Sequence, residues 1–397
     1  MRIGISTSVI EGGHTGIAQY VLSLCQALLP FRDQHQFTLF ALENDVPLFN
    51  FAAGAMNIVH VEEQYRPAVR NILWHQTVLP QLAAREHLNL LHIPSYRRLL
   101  APRPCALVAT IHDLAPFRVA KKYDWKRMFY GRVIARRLAH RCHQIITPSR
   151  QTSDDVQQFF KIPANKITVI HNGLDHEHFN PGDKPRAKSL VKNRFGLAKP
   201  FFLYLARLEH PGKNHIRLLR AYEQFRHTTS ADWQLVFAGK DCAGAAEIHD
   251  AIAQSPYAPD VRTLGFVSRE DLPELYRAAQ AFVYPSLYEG FGLPPVEAMA
   301  CGTPVLCSCA GALAEIVGNA AITLHPEDTA AFGQQMHRLA TDQTLRADLS
   351  QRGLTHAAQF NWRRTAQETL NIYAKAFCLT RSTAPSVEPW SSKAYPA

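Results

Sequence analysis

Ten short apolar runs, each followed by a stretch with helical spacing, set the limits on what this chain can fold into. They read "RIGIST", "QFTLFAL", "NLLHIPS", "CALVATIHD" and "HQIITPS", then "KITVIHN", "PFFLYLARL", "WQLVFAGK", "AFVYPSL" and "TPVLCSC". Runs this apolar, without strict polar alternation, belong to strands covered on both faces, as in parallel sheets wrapped by helices. The fold class is therefore α/β. A chain of 397 residues can build two such domains, each with its own core, and hence a cleft between them. The rhythm breaks at "HFNPGDKPRAKSLVKN", His178 to Asn193, where Pro, Gly and charge replace the apolar pattern. That break divides an expected first domain, 1–180, from a second, 185–362, each a Rossmann-like, doubly wound sheet. Near the end Ala366, Leu370, Tyr373 and Phe377 recur at three- and four-residue steps, which predicts a last amphipathic helix. The tail 380–397 has no periodicity and is expected to fray.

Charge narrows the partners. A net charge of +10 implies partners that carry negative charge: nucleic acid, phosphorylated small molecules or an anionic bilayer surface. The opening "MRIGISTSVI" mixes small, polar and apolar residues and reads as a first strand, not as a signal peptide. No apolar stretch approaches the roughly twenty residues of a membrane span. Eight scattered cysteines without a C-x-x-C pair fit a reducing compartment, so a cytoplasmic location is expected.

In open parallel sheets ligands sit beyond the carboxyl ends of the strands. The segment "YEGFGLPPVEAMACGTPV" follows such a strand and carries Glu289 and Glu297 around Gly290 and Gly292. The glycines let backbone approach a ligand, and Pro294 and Pro295 suit the first turn of a helix. Free amides at that helix start can hold phosphate oxygens. Glu297 is expected in the first turn, facing whatever the loop holds. Its plainer reading is a carboxylate on the helix dipole, worth about 0.3–1 kcal/mol, but Pro294 stands where a capping box needs Ser, Thr, Asp or Asn. A second group lies in "YLARLEHPGKNHIRLLRAYEQF". Arg207 follows a strand, and Lys213 precedes a helix that Asn214 is expected to cap. Ile216, Leu219, Tyr222 and Phe225 give that helix its apolar face. Two cations at one strand-to-helix passage suit a diphosphate, with ordinary surface charge as the alternative.

Together these elements resemble the retaining nucleotide-sugar glycosyltransferases of family 4, which have the two-domain GT-B fold. The acid pair in "EGFGLPPVE", "ARLEHPGKN", "FAGK" at 237–240, "LGFVS" at 264–268 and "GTPV" at 302–305 follow the family's order, so the likeness is strongest from about Phe201 to Ala330. The first half fits more loosely through "EGGHTGIAQYV", "IHD" at 111–113, "TPS" at 147–149 and "HNGLD" at 171–175. The resemblance implies that the second domain binds the donor, the first shapes the acceptor side, and a C-terminal helix (363–378) crosses back onto the first domain. It assigns Glu297 to the donor's ribose and Glu289 to hydroxyls of the transferred sugar. Arg207 and Lys213 would neutralise the diphosphate, joined by the amides of Phe291, Gly292 and Leu293. His112, after the strand "ALVATI", would contact the donor sugar and help orient the acceptor. In the first loop Gly16, with Gly12 and Gly13, would let a helix start approach the donor phosphates. Glycine turns are common, and by itself that loop is weak evidence.

The same resemblance implies retention of anomeric configuration. Two carboxylates suggest the glycosidase pair of acid and nucleophile, but a diphosphate leaving group needs no protein acid. A front-side displacement, with the leaving phosphate oxygen taking the acceptor's proton, is expected. No D-x-D triplet is present, so neither a metal nor another cofactor is expected. The region around Trp74, His75 and "LHIPSYRR" resembles bacterial mannosyltransferases of the family, which points to GDP-mannose, with a UDP-hexose as the alternative. The expected acceptor is a sugar or lipid-linked saccharide of a surface polysaccharide or lipopolysaccharide.

"KKYDWKRMFYGRVIARRLAHR", Lys121 to Arg141, combines Lys126, Arg127, Arg132, Arg136, Arg137 and Arg141 with Trp125, Phe129, Val133, Ile134 and Leu138. This predicts one helix, either lying in a membrane interface on the inner leaflet or packed on the core with a solvated basic face. Three other readings compete. A nicotinamide-dependent dehydrogenase could use the glycine turn and Glu43, but "GGHTG" is not G-x-G-x-x-G and the 207–213 and 289–297 groups would have no role. A nucleic-acid-binding protein would suit the charge, yet no zinc spacing, ribonucleoprotein motif or helix-turn-helix is present. A non-catalytic sugar-binding protein would not need both acids and both cations.

Overall fold

The computed structural model describes residues 1–13, 15–119 and 125–382, with side chains to 380. The tail beyond 382, His14 and the start of the basic segment (121–124) lie outside the described residues. Thirteen strands form two all-parallel sheets. The first contains β1 (Arg2–Ser6), β2 (Gln36–Leu42), β3 (Asn57–Val61), β4 (Leu90–Ile93), β5 (Ala106–Thr110), β6 (Gln144–Thr147) and β7 (Ile167–Val169), in the order β3-β2-β1-β4-β5-β6-β7. The second contains β8 (Phe201–Leu205), β9 (Gln234–Ala238), β10 (Val261–Thr263), β11 (Ala281–Tyr284), β12 (Val305–Ser308) and β13 (Ile322–Leu324), in the order β10-β9-β8-β11-β12-β13. This is the doubly wound α/β pair expected of the GT-B fold. Three strands were not foreseen: β3, β10 and β13. All three are edge strands, and "NIVHV", "VRT" and "ITL" are too short or too polar to stand out as buried runs.

Chain order reverses between β1 and β4 in the first sheet and between β8 and β11 in the second. Crevices open at such reversals, and the chain beyond β8 and β11 carries the two motif groups. The expected break at 178–193 contains a helix, Lys184–Phe195, capped by Asp183 and ended by left-handed Gly196. Its Ala187 and Val191, with Phe179, already pack in the second core.

The helix Trp362–Ser382 returns to the first domain. Ala366, Leu370, Tyr373 and Ala376 enter the first core beside the helix Gly16–Leu28, whose Tyr20, Val21, Leu24 and Leu28 face inward. A buried polar chain ties it down. The Tyr373 hydroxyl lies 2.7 Å from His92 Nδ1, His92 Nε2 is 2.8 Å from Thr110 Oγ1, and Thr110 meets the Tyr20 hydroxyl at 3.1 Å. Burial lowers the His92 pKa to about 3, so the ring stays neutral and each of its nitrogens has a hydrogen-bond partner. Where this helix begins, the chain at Gly173 runs so close that a Cβ there would sit 2.3 Å from the Trp362 nitrogen.

The basic segment is helical from Trp125 to Ala139, but not as one regular helix: residues Tyr130–Ala135 are wound as a π-helix between two short α-helical pieces. Its inward face is made of small residues, Gly131, Ala135 and Ala139, with Gly131 close against the Phe117 ring. Trp125, Phe129 and Ile134 therefore point outward, with Trp125 74% exposed. Val133 and Leu138 are half-buried.

Candidate active site

The two motif groups meet at the β8/β11 reversal. Lys213 Nζ lies 2.6 Å from Glu289 Oε1, each side chain 16% exposed. Ser286 and Tyr284 donate to the same oxygen, at 2.6 and 2.9 Å. Burial opposes ionisation of Glu289, but the Lys213 charge and these three donors together hold its carboxyl below the usual carboxylate range. All three bonds converge on Oε1, so Oε2 remains to accept from a ligand hydroxyl.

Glu297 repeats this arrangement with a different balance. The Tyr276 hydroxyl donates to its Oε2 at 2.8 Å, and burial raises its pKa, with Tyr276 and the more distant Arg269 charge pulling the other way. Glu297 opens the second turn of the helix Leu293–Ala300, not the first as expected, because that helix starts at Leu293 with Pro294 and Pro295 behind it. The helix has no side-chain cap, and Gly292 precedes it in the left-handed region (φ 97°). Phe291 is buried against His171 and Phe360, so its ring supports the turn while the amides of 291–293 stay available.

Asn214 sits at the N-cap position but does not cap. Its backbone is left-handed (φ 62°), and its Nδ2 donates to the Pro285 and Pro326 carbonyls at 3.0 and 2.7 Å. The residue thus staples the β8 loop to the chain after β11, which brings Lys213 to Glu289. Arg207 stands apart from that pair: its side chain is 54% exposed beyond β8 and bonds Glu209 at 2.8 Å.

The first domain closes on this group from the opposite side. The Gly290 carbonyl accepts from Ser149 Oγ at 2.7 Å and Thr152 Oγ1 at 3.2 Å, and a Cβ on Gly290 would lie 2.0 Å from the His112 carbonyl oxygen. Tyr288 donates to buried Asp155, which Arg118 also holds at 2.6 Å. Glu315 caps the helix Arg150–Asp155 from across the cleft, accepting from the Arg150 and Gln151 amides at 2.9 and 3.2 Å. His112 lies in this seam. Its ring donates to the Pro94 carbonyl, leaves Nε2 without a partner and touches Tyr20 edge-on at 4.6 Å. Burial lowers its pKa to about 4, so it is a neutral imidazole with one free lone pair.

Gly16 begins the helix Gly16–Leu28, which Thr15 caps at 3.1 Å, and a Cβ there would meet nothing within 4 Å. Lys126, Arg127, Arg132, Arg136 and Arg137 are all exposed, and Arg132, Arg136 and Arg137 share one groove with His140. Sequence reasoning missed Tyr276, Tyr284, Ser286, Ser149 and Thr152 as supports of the site. Only "TPS" at 147–149 carried a hint, because the others gain their role from contacts more than twenty residues away or from the geometry of the β11 loop.

Comparison with known proteins follows the same division. Residues 186–356 match the family described as glycosyl transferases group 1, and residues 14–178 match glycosyltransferase family 4. The O-antigen chain mannosyltransferase B of Escherichia coli is 29% identical over 393 residues, a match covering 94% of this chain and 99% of that protein. The serotype-specific mannosyltransferase WbdA of Escherichia coli is 28% identical over 277 residues, 68% of this chain but only 34% of that longer protein. Among solved structures, Anabaena HepE in complex with UDP and glucose superposes with a TM-score of 0.76 over 94% of this chain and 100% of that one, at 20% identity. That likeness speaks for the fold.

Proposed function

The chain belongs to the glycosyl transferases group 1 family, and from that premise we propose that it moves a mannosyl residue from GDP-mannose, with retention, to a sugar or lipid-linked saccharide of a surface polysaccharide. The observation that carries the reading is the meeting of Lys213 and Glu289, 2.6 Å apart, at the β8/β11 reversal. As the glycosidic bond breaks, negative charge gathers on the leaving diphosphate and positive character on the sugar. A prepositioned cation and free helix amides therefore stabilise the transition state more than the ground state. Lys213, the amides of 291–293 and Arg207, released from Glu209, supply that field; Glu289 Oε2 accepts from the sugar and Glu297 from the ribose.

Glu289 does not serve as a nucleophile in this reading, because Lys213, Ser286 and Tyr284 stabilise its charge and lower its basicity. His112 is likewise a poor base at neutral pH; its Nε2 accepts from a sugar hydroxyl and orients it. The acceptor attacks on the face from which the diphosphate leaves, and a phosphate oxygen takes its proton. The charge on the leaving group is met by side chains and amides, so no metal is needed. The mannose assignment follows the E. coli relatives, and the UDP in the more distant structural neighbour keeps a UDP-hexose as the second reading. A thermal-shift comparison separates them. GDP at 100 times its dissociation constant should stabilise the fold by about 2.7 kcal/mol, with UDP and ADP weaker at equal concentration. A larger shift with UDP overturns the donor assignment.

The outward Trp125, Phe129 and Ile134, interleaved with five basic residues, favour the membrane-interface reading of the 125–139 segment, since its core face needs only Gly131, Ala135 and Ala139. No helix among the described residues is long and apolar enough to cross a membrane. Reversing the charge of Arg132, Arg136 and Arg137 to Glu together should lower sedimentation with anionic vesicles by at least about tenfold, at roughly 1 kcal/mol per basic residue. Unchanged sedimentation contradicts a membrane role.

A further inference from the structure

Arg98 ends the turn Tyr96–Arg98 immediately beyond β4, at the cleft end of the first sheet. Its guanidinium is half-buried, and burial lowers its proton affinity. No carboxylate lies within ion-pair distance of it among the described residues; Glu11, in the loop after β1, acts on it only at longer range, against Arg97 beside it. Its hydrogen bonds run from Nε to Asn71 Oδ1 at 2.5 Å and from Nη1 to the Arg97 carbonyl at 3.5 Å. Asn71 is 1% exposed, and with its oxygen engaged by Arg98 its Nδ2 has no partner. A desolvated cation and an orphaned amide donor side by side lack the same thing: a ligand with several anionic acceptor oxygens.

The surroundings say what that anion is attached to. Asn71 lies on the inward face of the helix Ala68–Arg85 with Trp74 and His75, while Val69 and Leu73, two positions to either side, are exposed on its opposite face. Beside Arg98, Tyr130 donates to the Arg97 carbonyl at 2.9 Å and continues the helix that bears exposed Trp125 and Phe129. The anion site is thus edged on that side by bare apolar side chains.

Resting on the glycosyltransferase reading above, we propose that Arg98 and Asn71 hold the phosphate or diphosphate of an amphiphilic acceptor, whose hydrocarbon lies toward Trp125 and Phe129. Phosphate recognition would then be separate from the donor diphosphate site on the second domain.

The test compares acceptors carrying one glycan on the same long alkyl chain, one through a diphosphate and one through a neutral ether, with inorganic diphosphate as a competitor. The parent chain should favour the diphosphate acceptor in kcat/KM by about 10–100-fold, the worth of hydrogen bonds to a charged group. Arg98→Ala should collapse that ratio toward one. Asn71→Asp, nearly isosteric, places a carboxylate against Arg98 and should collapse it too. Competition by inorganic diphosphate that spares the neutral acceptor locates the anion alone; competition only by the alkyl diphosphate shows that the hydrocarbon flank is required. Both support the site. Variants that slow both acceptors equally, or leave the ratio intact, overturn it, and failure of the parent to transfer to either acceptor refutes the underlying activity instead.

Discussion

Lys213→Ala should slow sugar transfer by about 10³-fold, because one side chain holds together two parts of the site. Removing a single preorganised donor from a developing anion costs about 10²–10³ in rate. Here the loss also strands Glu289, whose Oε1 would keep only Ser286 and Tyr284 as donors. An unpaired charge in a mostly buried position destabilises the fold, by about 3–5 kcal/mol when burial is complete, so the 16% exposure of this pair places the expected cost at the lower end. The pH dependence gives an independent check. The folded-state pKa of Glu289 lies below its unfolded value near 4.5. The pair's contribution to stability is therefore complete above that value and is lost as pH falls through the lower, folded one. In Lys213→Ala burial acts without its counterweight, the Glu289 pKa rises, and acid sensitivity begins at higher pH. Adding Glu289→Gln to that variant should restore the thermal midpoint without restoring the rate. A double variant that recovers transfer would show that Lys213 serves only to neutralise Glu289, and a single variant with parental kcat would remove the site altogether.

What the sequence made legible follows from how local each feature is. The central strands and the strand-to-helix passages stand out because burial on both faces leaves an unbroken apolar run, as in "FFLYL" and "ALVAT". Edge strands such as β10 and β13 lack it, since one edge faces solvent and three residues make no pattern. Glu289 and Lys213 could be singled out from position after a strand, yet their 76-residue separation hides the 2.6 Å contact, which depends on Asn214 bridging to Pro285 and Pro326. The same holds for Tyr276, whose hydroxyl matters only because its helix packs beside the one bearing Glu297. Asn214 was misjudged because the rule for caps concerns the helix alone, whereas here two distant carbonyls hold its Nδ2 and Arg217 donates to the Oδ1 that a cap would use. The basic segment was read as a single helix because its spacing cannot register the extra residue per turn of a π-helix, which here buries Gly131 and Ala135.

Gly290→Ala should lower kcat by about 10²-fold while changing nucleotide affinity little. The glycine is not in a left-handed conformation, so alanine suits its backbone; what it cannot accommodate is the neighbour. The new Cβ would lie 2.0 Å from the His112 carbonyl oxygen and 2.8 Å from Asp113 Cβ. The nearer of these is backbone, which no rotamer change can move, so the two domains must part by roughly 1 Å, the misplacement that costs about 10²-fold in an oriented reaction. Parting them also stretches the Ser149 and Thr152 bonds to the Gly290 carbonyl and draws the His112 ring away from the sugar held by Glu289. Lys213, Glu289 and Glu297 all belong to the second domain, so the donor's phosphates and ribose lose nothing directly. The expected signature is therefore a parental nucleotide-induced thermal shift, a reduced kcat and a larger radius of gyration in solution. Loss of nucleotide affinity in step with kcat would instead place Gly290 against the donor phosphate. A parental rate would mean that the seam between His112 and Gly290 has no part in transfer.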